Sequence, residues 1–231
     1  NGFNRSYQSS GGSLSVSVLA GQNSSGMEVD YDYSASVYWE DLKDPEKIGR
    51  SAAHRAKKRL GAKKIKSGKF PVIYEPRVAR GILGHFITAI NGNLVSKDTT
   101  FLRNKMGKQI FNKEISVIED PHRKRGLRSK SCDSEGIQNK KRNLIKAGIL
   151  KTWLLDLYSS RKLSLRPTGH ASRGVASQPS PSVTNVYLDR GTLTPTKLIS
   201  GIKSGLYVTD TFGQGVNYIT GNYSRGIAGF W

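Results

Sequence analysis

Hydrolytic or metal chemistry in this chain would have to come from a small set of side chains. They are His54, His85, His122 and His170, the single cysteine Cys132, and the acids Glu28, Asp30 and Asp32 on alternating positions. Zinc hydrolysis takes two histidines, a further ligand and an adjacent glutamate to activate water. A nucleophilic hydrolase takes a nucleophile beside a base. Neither set has a local signature: there is no GxSxG elbow, Cys132 lies in a charged loop, and His85 has no carboxylate on its own helix. Glu28, Asp30 and Asp32 could hold a metal or act as acid and base, but no histidine or glycine-rich ligand loop accompanies them, and they read as the solvated side of a strand. His170 and Ser172 sit in the loop Thr168–Gly174, whose composition fits a cleft-lining segment and a plain connection equally well. Phosphate loops, dinucleotide fingerprints and repeats of useful period are lacking.

The stretch that positions His85 organises the chain. Phe70, Val72, Ile73 and Tyr74 read as a buried strand, and Pro76 suits the first turn of a following helix. Val78, Ala79, Ile82, Leu83, Phe86, Ala89 and Ile90 spread over a wide apolar arc, which predicts a core helix packed on more than one side. Gly81, Gly84 and Thr88 form a small-residue seam, where glycine costs about 0.8 to 1 kcal/mol relative to alanine, so a close backbone neighbour is expected there. Upstream, Leu14–Ala20 and Met27–Trp39 alternate with period two around the loop GQNSSG over 21–26, an antiparallel hairpin. Asp44-Pro45 starts an amphipathic helix carrying Ile48, Ala52, Ala56 and Leu60 and stopping at Gly61. His54 lies off its apolar stripe and receives no role.

Downstream, Asn91-Gly92-Asn93 reads as a turn and Ser96–Lys108 as a polar segment bordering a cleft. A strand over Ile115–Ile118 ends at Asp120-Pro121, and His122–Asn143 is a basic loop or edge region. Ala147-Gly148 marks a hairpin, and a short helix follows near Tyr158. Val183–Leu188 is a strand, and Thr194-Pro195 caps a helix closed by Gly205. The tail consists of strands broken by Gly213, Gly215, Gly221, Gly226 and Gly229, positions for tight turns or close backbone approach.

With 231 residues, 36% of them hydrophobic, the chain can bury one good core or two small ones. The net charge of +20 fits a solvated lysine-rich background, because no basic stretch is interleaved with stacking aromatics; no nucleic-acid partner is assigned. A lone cysteine favours a reducing cytoplasm, and no apolar run is long enough to span a bilayer. Bottom-up, the residues support an α+β domain rich in antiparallel strands, with missing flanks expected from a start at Asn1 and a stop at Trp231 in mid-strand.

Several longer stretches sharpen this reading. PVIYEPRVARGILGHFITAI (Pro71–Ile90), IEDPH (Ile118–His122), DSEG (Asp133–Gly136), PTGH (Pro167–His170) and GQGVNYITGNYSRGIAGFW (Gly213–Trp231) run in an order that resembles the TldD/PmbA family, once called modulators of DNA gyrase, and within it the PmbA (TldE) branch. The resemblance implies that 1–231 is one β-rich C-terminal domain with a buried core helix, its N-terminal domain and last strands lying outside the chain. It also implies a two-part protease that matures or degrades small unstructured peptides. The catalytic branch carries HExxxH on the core helix and a later cysteine as zinc ligands. Here Gly84 and Ala89 stand where the two histidines would be, His85 replaces the glutamate, and the glycine-rich tail has no cysteine, so every zinc position is lost.

The reading that follows is a non-catalytic subunit with no catalytic or metal-binding residue and no cofactor of its own. Zinc is expected in a TldD-type partner, or the chain pairs with a second copy of itself. The peptide cleft is expected at His85, His170, Ser172, Gly213 and Gly215. Two rival readings remain: a peptidase in its own right, using His85, His122 and His170 gathered by the fold, and a basic regulator of nucleic acid or gyrase.

Overall fold

The computed structural model describes residues 2, 4–22 and 26–231. Where the sequence is read as one domain over 1–231, the chain forms two compact units, one of Asn4–Lys69 with Arg125–Leu127, the other chiefly of Phe70–Lys124 and Arg128–Trp231.

In the smaller unit, β1 (Gly12–Gln22) and β2 (Gly26–Ser36) pair antiparallel, followed by α1 (Pro45–Arg59). Of the loop expected over 21–26, Gly21, Gln22 and Gly26 belong to the strands, and 23–25 lie outside the described residues. The Asp44 side chain accepts from Glu46 N, Pro45 occupies the first turn, and Ile48, Ala52 and Ala56 are buried as their four-residue spacing requires. The side that α1 covers is a correction to the sequence reading. Antiparallel register puts Val16 opposite Asp32 and Val18 opposite Asp30, so the apolar face of β1 and the acidic face of β2 are one face. That shared face lies under α1: Asp30, Asp32, Ser34 and Ser36 are buried, whereas Met27 and Val29 are 64% and 50% exposed. Helical cations make the burial tolerable. Arg59 reaches Glu28 at 3.2 Å and Asp30 at 3.7 Å. Burial works against the Asp32 carboxylate, but the Ser51 hydroxyl, the Tyr33 amide, Lys43 and Arg55 outweigh it and lower its pKa. Alternation thus marks two unlike faces without saying which one is covered.

In the larger unit the elements are β3 (Val72–Tyr74), α2 (Pro76–Ala89), α3 (Gly92–Ser96), β4 (Val117–Glu119), β5 (Arg142–Lys146), β6 (Ile149–Leu150), α4 (Leu157–Lys162), β7 (Ala171–Ser172), β8 (Ser180–Pro181), β9 (Val186–Leu188), α5 (Pro195–Ser200), β10 (Leu206–Phe212) and β11 (Gly226–Phe230). One antiparallel sheet runs β6-β5-β4-β9; another has β10 at its centre, parallel to β3 and antiparallel to β11; β7 and β8 form a small pair. The β5–β6 hairpin turns on Ala147 and Gly148, both at positive φ, the conformation a two-residue hairpin needs.

Ile90, Leu144, Ile145, Leu150 and Leu154 are fully buried and, with Phe86 and Trp153, form the core. Helix α2 enters that core with its C-terminal half. Phe86 and Ala89 are buried while Ile82 is 43% exposed, so the helix packs less completely than its apolar arc predicts. The seam at Gly81 and Gly84 also differs from expectation: a Cβ on either would have nothing within 4 Å. Close approach occurs instead at Gly92, where a Cβ would stand 2.6 Å from Leu154 O. Asn91-Gly92-Asn93 is accordingly a helix start in place of a turn, with the Asn91 side chain accepting from Asn93 N to cap α3.

Candidate functional site

The site is assembled on α2. Strand β3 lies parallel to β10, Glu75 N donates to Val208 O at 2.9 Å, and Pro76 begins the helix there, so the helix start is fixed by the sheet. Two turns later Ile82, His85 and Phe86 face a pocket of about 380 Å³. Its other walls come from Phe101 and Leu102 after α3, from Phe111, and from the link between β10 and β11. That link folds back on itself. Gly213 turns at positive φ, Val216 bridges Tyr223 through Ser224 N to Gly215 O and Asn217 N to Asn222 O, and Phe101 N ties the link down by donating to Tyr218 O at 2.7 Å. Two of its glycines pack closely on side chains: a Cβ at Gly215 would stand 2.8 Å from His85 Cε1, and one at Gly221, which is at positive φ, 3.0 Å from the Phe101 ring.

His85 is half-buried at this pocket. Its Nδ1 is 3.1 Å from the Tyr218 hydroxyl and its ring meets Tyr223 edge-on at 5.8 Å. Burial first, and the Arg225 charge second, lower its pKa, which favours the neutral ring. Burial and Tyr223 raise the pKa of Tyr74, another wall residue. The pocket therefore combines an apolar lining with a neutral imidazole and tyrosine hydroxyls, the pattern of a binding site for an apolar group with a few orienting contacts.

Of the residues singled out by sequence, His85, Gly213 and Gly215 come together. His170 and Ser172 do not join them. His170 is 1% exposed: Nε2 bonds Glu119 Oε2 at 2.7 Å and Nδ1 the Thr168 hydroxyl at 2.7 Å. Glu119 also accepts from Thr184 N and Oγ1, and Ser172 pairs with Ser180 in the β7–β8 ladder. Asp133 accepts from Glu135 N, Ile137 N and Ala171 N, and Glu135 from Leu157 N. IEDPH, DSEG and PTGH thus supply a buried polar network that ties loops together, and Thr168–His170 is no cleft-lining segment. His54 and His122 are exposed. Sequence reasoning missed Tyr218, Tyr223, Arg225 and Phe101; the aromatic and basic side chains between the tail glycines were the available signal.

The residues present do not fit a zinc ion. Among the described residues no three of His, Cys, Asp and Glu are placed to hold a metal, so His85, His122 and His170 do not gather, and His85 already spends Nδ1 on Tyr218.

Comparison with known proteins agrees with the motif reading. Residues 67–231 match the family profile for the PmbA/TldA metallopeptidase C-terminal domain, and 1–60 match that for the central domain. The chain is 41% identical to metalloprotease PmbA of Escherichia coli O157:H7 over 230 residues, 100% of the chain and 49% of the relative. A Bacteroides thetaiotaomicron protein, described as a candidate modulator of DNA gyrase, superposes with a TM-score of 0.90 at 28% identity, over 99% of this chain and 50% of that one. TldE of Thermococcus kodakarensis, at 24% identity, shares the fold with a TM-score of 0.73 over 88% of this chain and 46% of its own. The chain belongs to the PmbA/TldD metallopeptidase family. It spans about half the length of the curated relatives it matches. No helix among the described residues is long and apolar enough to cross a membrane.

Proposed function

We propose that the chain is part of a PmbA/TldE-type subunit that holds peptide without a metal of its own and pairs, in the cytoplasm, with a TldD-type chain whose HExxxH helix carries zinc. The observation that carries this reading is the replacement on α2: Gly84 and Ala89 offer no ligand, and His85, in the glutamate's place, is turned to Tyr218 beside an apolar pocket. An apolar pocket with a neutral imidazole suits binding a peptide side chain better than activating water, which needs a base and a Lewis acid together. The peptides would be small and poorly structured, matured or degraded by the partner.

Elemental analysis of the purified full chain after chelator-free gel filtration tests it. The expected result is no stoichiometric zinc in the chain alone, and peptide hydrolysis only after mixing with an HExxxH-bearing family member. Stoichiometric zinc, or hydrolysis by the chain alone, would favour a peptidase in its own right.

A further inference from the structure

The pocket on α2 has a wall of rings. Tyr74, His85, Phe86, Phe101, Phe111 and Tyr223 line it, with aliphatic side chains such as Ile82 beside them. Two pairs of these rings already meet edge-on, Phe86 with Phe111 at 5.6 Å between centroids and His85 with Tyr223 at 5.8 Å. No lining side chain is a carboxylate, ammonium, guanidinium or carboxamide. The polar ones are turned to other tyrosines: Tyr74 to Tyr223 by a hydrogen bond, and His85 Nδ1 to the Tyr218 hydroxyl at 3.1 Å. A charged or amide group entering the pocket would lose its water and find no charged or amide side chain to replace it. Ile82, Phe101, Phe111 and Tyr223, although large and apolar or aromatic, are each 36–43% exposed, so their shared concavity presents contiguous apolar surface to water. At about 380 Å³ it lies near the small end of ligand sites, roughly 300–1,000 Å³, and has room for one bulky group.

We propose that this pocket selects peptides by one internal aromatic side chain, a phenylalanine whose phenyl group joins the ring cluster. The proposal rests on the peptide-holding reading above and adds the substrate class: unstructured peptides with an accessible phenylalanine. An internal residue is favoured because the wall offers no charge to hold a chain terminus. A ring is favoured over an aliphatic group of similar size because edge-to-face contacts with the wall add to the burial of area.

Fluorescence anisotropy of the full chain with labelled, amidated Gly/Ser heptapeptides, identical except for a central Phe, Leu, Ala or Lys, tests the proposal. The Phe peptide should bind on the order of 10- to 100-fold tighter than the Ala peptide. It should also bind about 2- to 10-fold tighter than the Leu peptide, and Lys should do no better than Ala. Ile82→Glu, on an exposed part of α2, should bring Phe and Ala level. Gly81→Glu, one residue away and outside the wall, should keep Phe ahead, with circular dichroism confirming that both variants fold. The ring-proton NMR signals of His85, assigned by their loss in His85→Asn, should move on adding the Phe peptide and stay still with the Ala peptide. Equal binding of Phe and Ala, Leu level with or ahead of Phe, or a Phe preference that survives Ile82→Glu overturns the proposal. So does a dimer of the chain that Ile82→Glu splits and the Phe peptide fails to compete, since a second copy would then fill the pocket. A chain that holds zinc or cleaves peptide alone, yet prefers Phe here, would sink the subunit reading and uphold this one; a metal-free chain that needs its HExxxH partner but binds Phe and Ala alike would do the reverse.

Discussion

His85 and His170 each place Nδ1 against a hydroxyl, Tyr218 for one and Thr168 for the other, and there the likeness ends. His170 is sealed, and its second nitrogen is held by Glu119, itself bonded twice by Thr184. His85 is half-buried at an open pocket, and its second nitrogen lies against Gly215. A buried polar group with every partner supplied stabilises a fold and has nothing left to offer a ligand. One that is partly supplied at a concave surface contributes less to the fold and stays within reach of other groups.

The contrast is broken most forcefully at Glu119. Glu119→Ala leaves His170 and Thr184 without their acceptor and should cost about 3–5 kcal/mol, read as a lower urea midpoint with an unchanged slope. His170→Leu orphans one Glu119 oxygen, while the Thr168 hydroxyl keeps its bonds to Leu155 and Trp153, and should cost about 1–3 kcal/mol. His85→Asn, by contrast, should stay within about 1 kcal/mol of the parent in the same titration, while changing peptide binding. Equal losses from the two histidines would erase the distinction.

Acid should separate the two sites by pH window. Burial opposes the Glu119 carboxylate, but the His170 hydrogen bond and charge, with the two Thr184 bonds, outweigh it and lower its folded pKa. The unfolded carboxyl therefore binds its proton more readily, and this contribution to stability is full above the unfolded pKa near 4.3 and is lost as pH falls through the depressed folded value. The folded pKa of His85 is also lowered, so stability should dip slightly as pH falls below the unfolded value of about 6.5. Urea midpoints across pH 3–8 for the parent and His85→Asn resolve the two: the dip near neutrality should vanish in the variant and the acid loss should persist. The smallest effect expected is at Gly81, on the exposed side of α2, where an added Cβ would meet nothing within 4 Å; Gly81→Ala should raise stability by about 0.5–1 kcal/mol. A loss there would restore the close neighbour that the glycine seam predicts.

The elements whose signals are local were legible from the residues. Pro45, Pro76 and Pro195 start helices at the expected places, with side-chain caps from Asp44 and Thr194, because a proline and a cap act within one turn. Ala147-Gly148 turns its hairpin for the same reason, and the ordered motifs over Pro71–Trp231 were enough to place the chain in its family. What depends on partners distant in the chain was not legible. The acids of β2 read as solvated until the register with β1 and the covering helix α1 were known. His85 and His170 were indistinguishable as isolated histidines, and only the packing joined one to Tyr218 and Gly215 and the other to Glu119.

The sequence alone determined the starts of the proline-led helices, the Ala147-Gly148 hairpin and the family, since each of these is a matter of residue identity or of spacing within a few positions. Only the tertiary structure decided which face of the hairpin is buried, which histidine is sealed and which lies at a pocket, and that Phe101 lines that pocket. Burial and charge neutralisation are properties of neighbours in space, and the residues concerned lie far apart in the chain, 133 positions in the case of His85 and Tyr218.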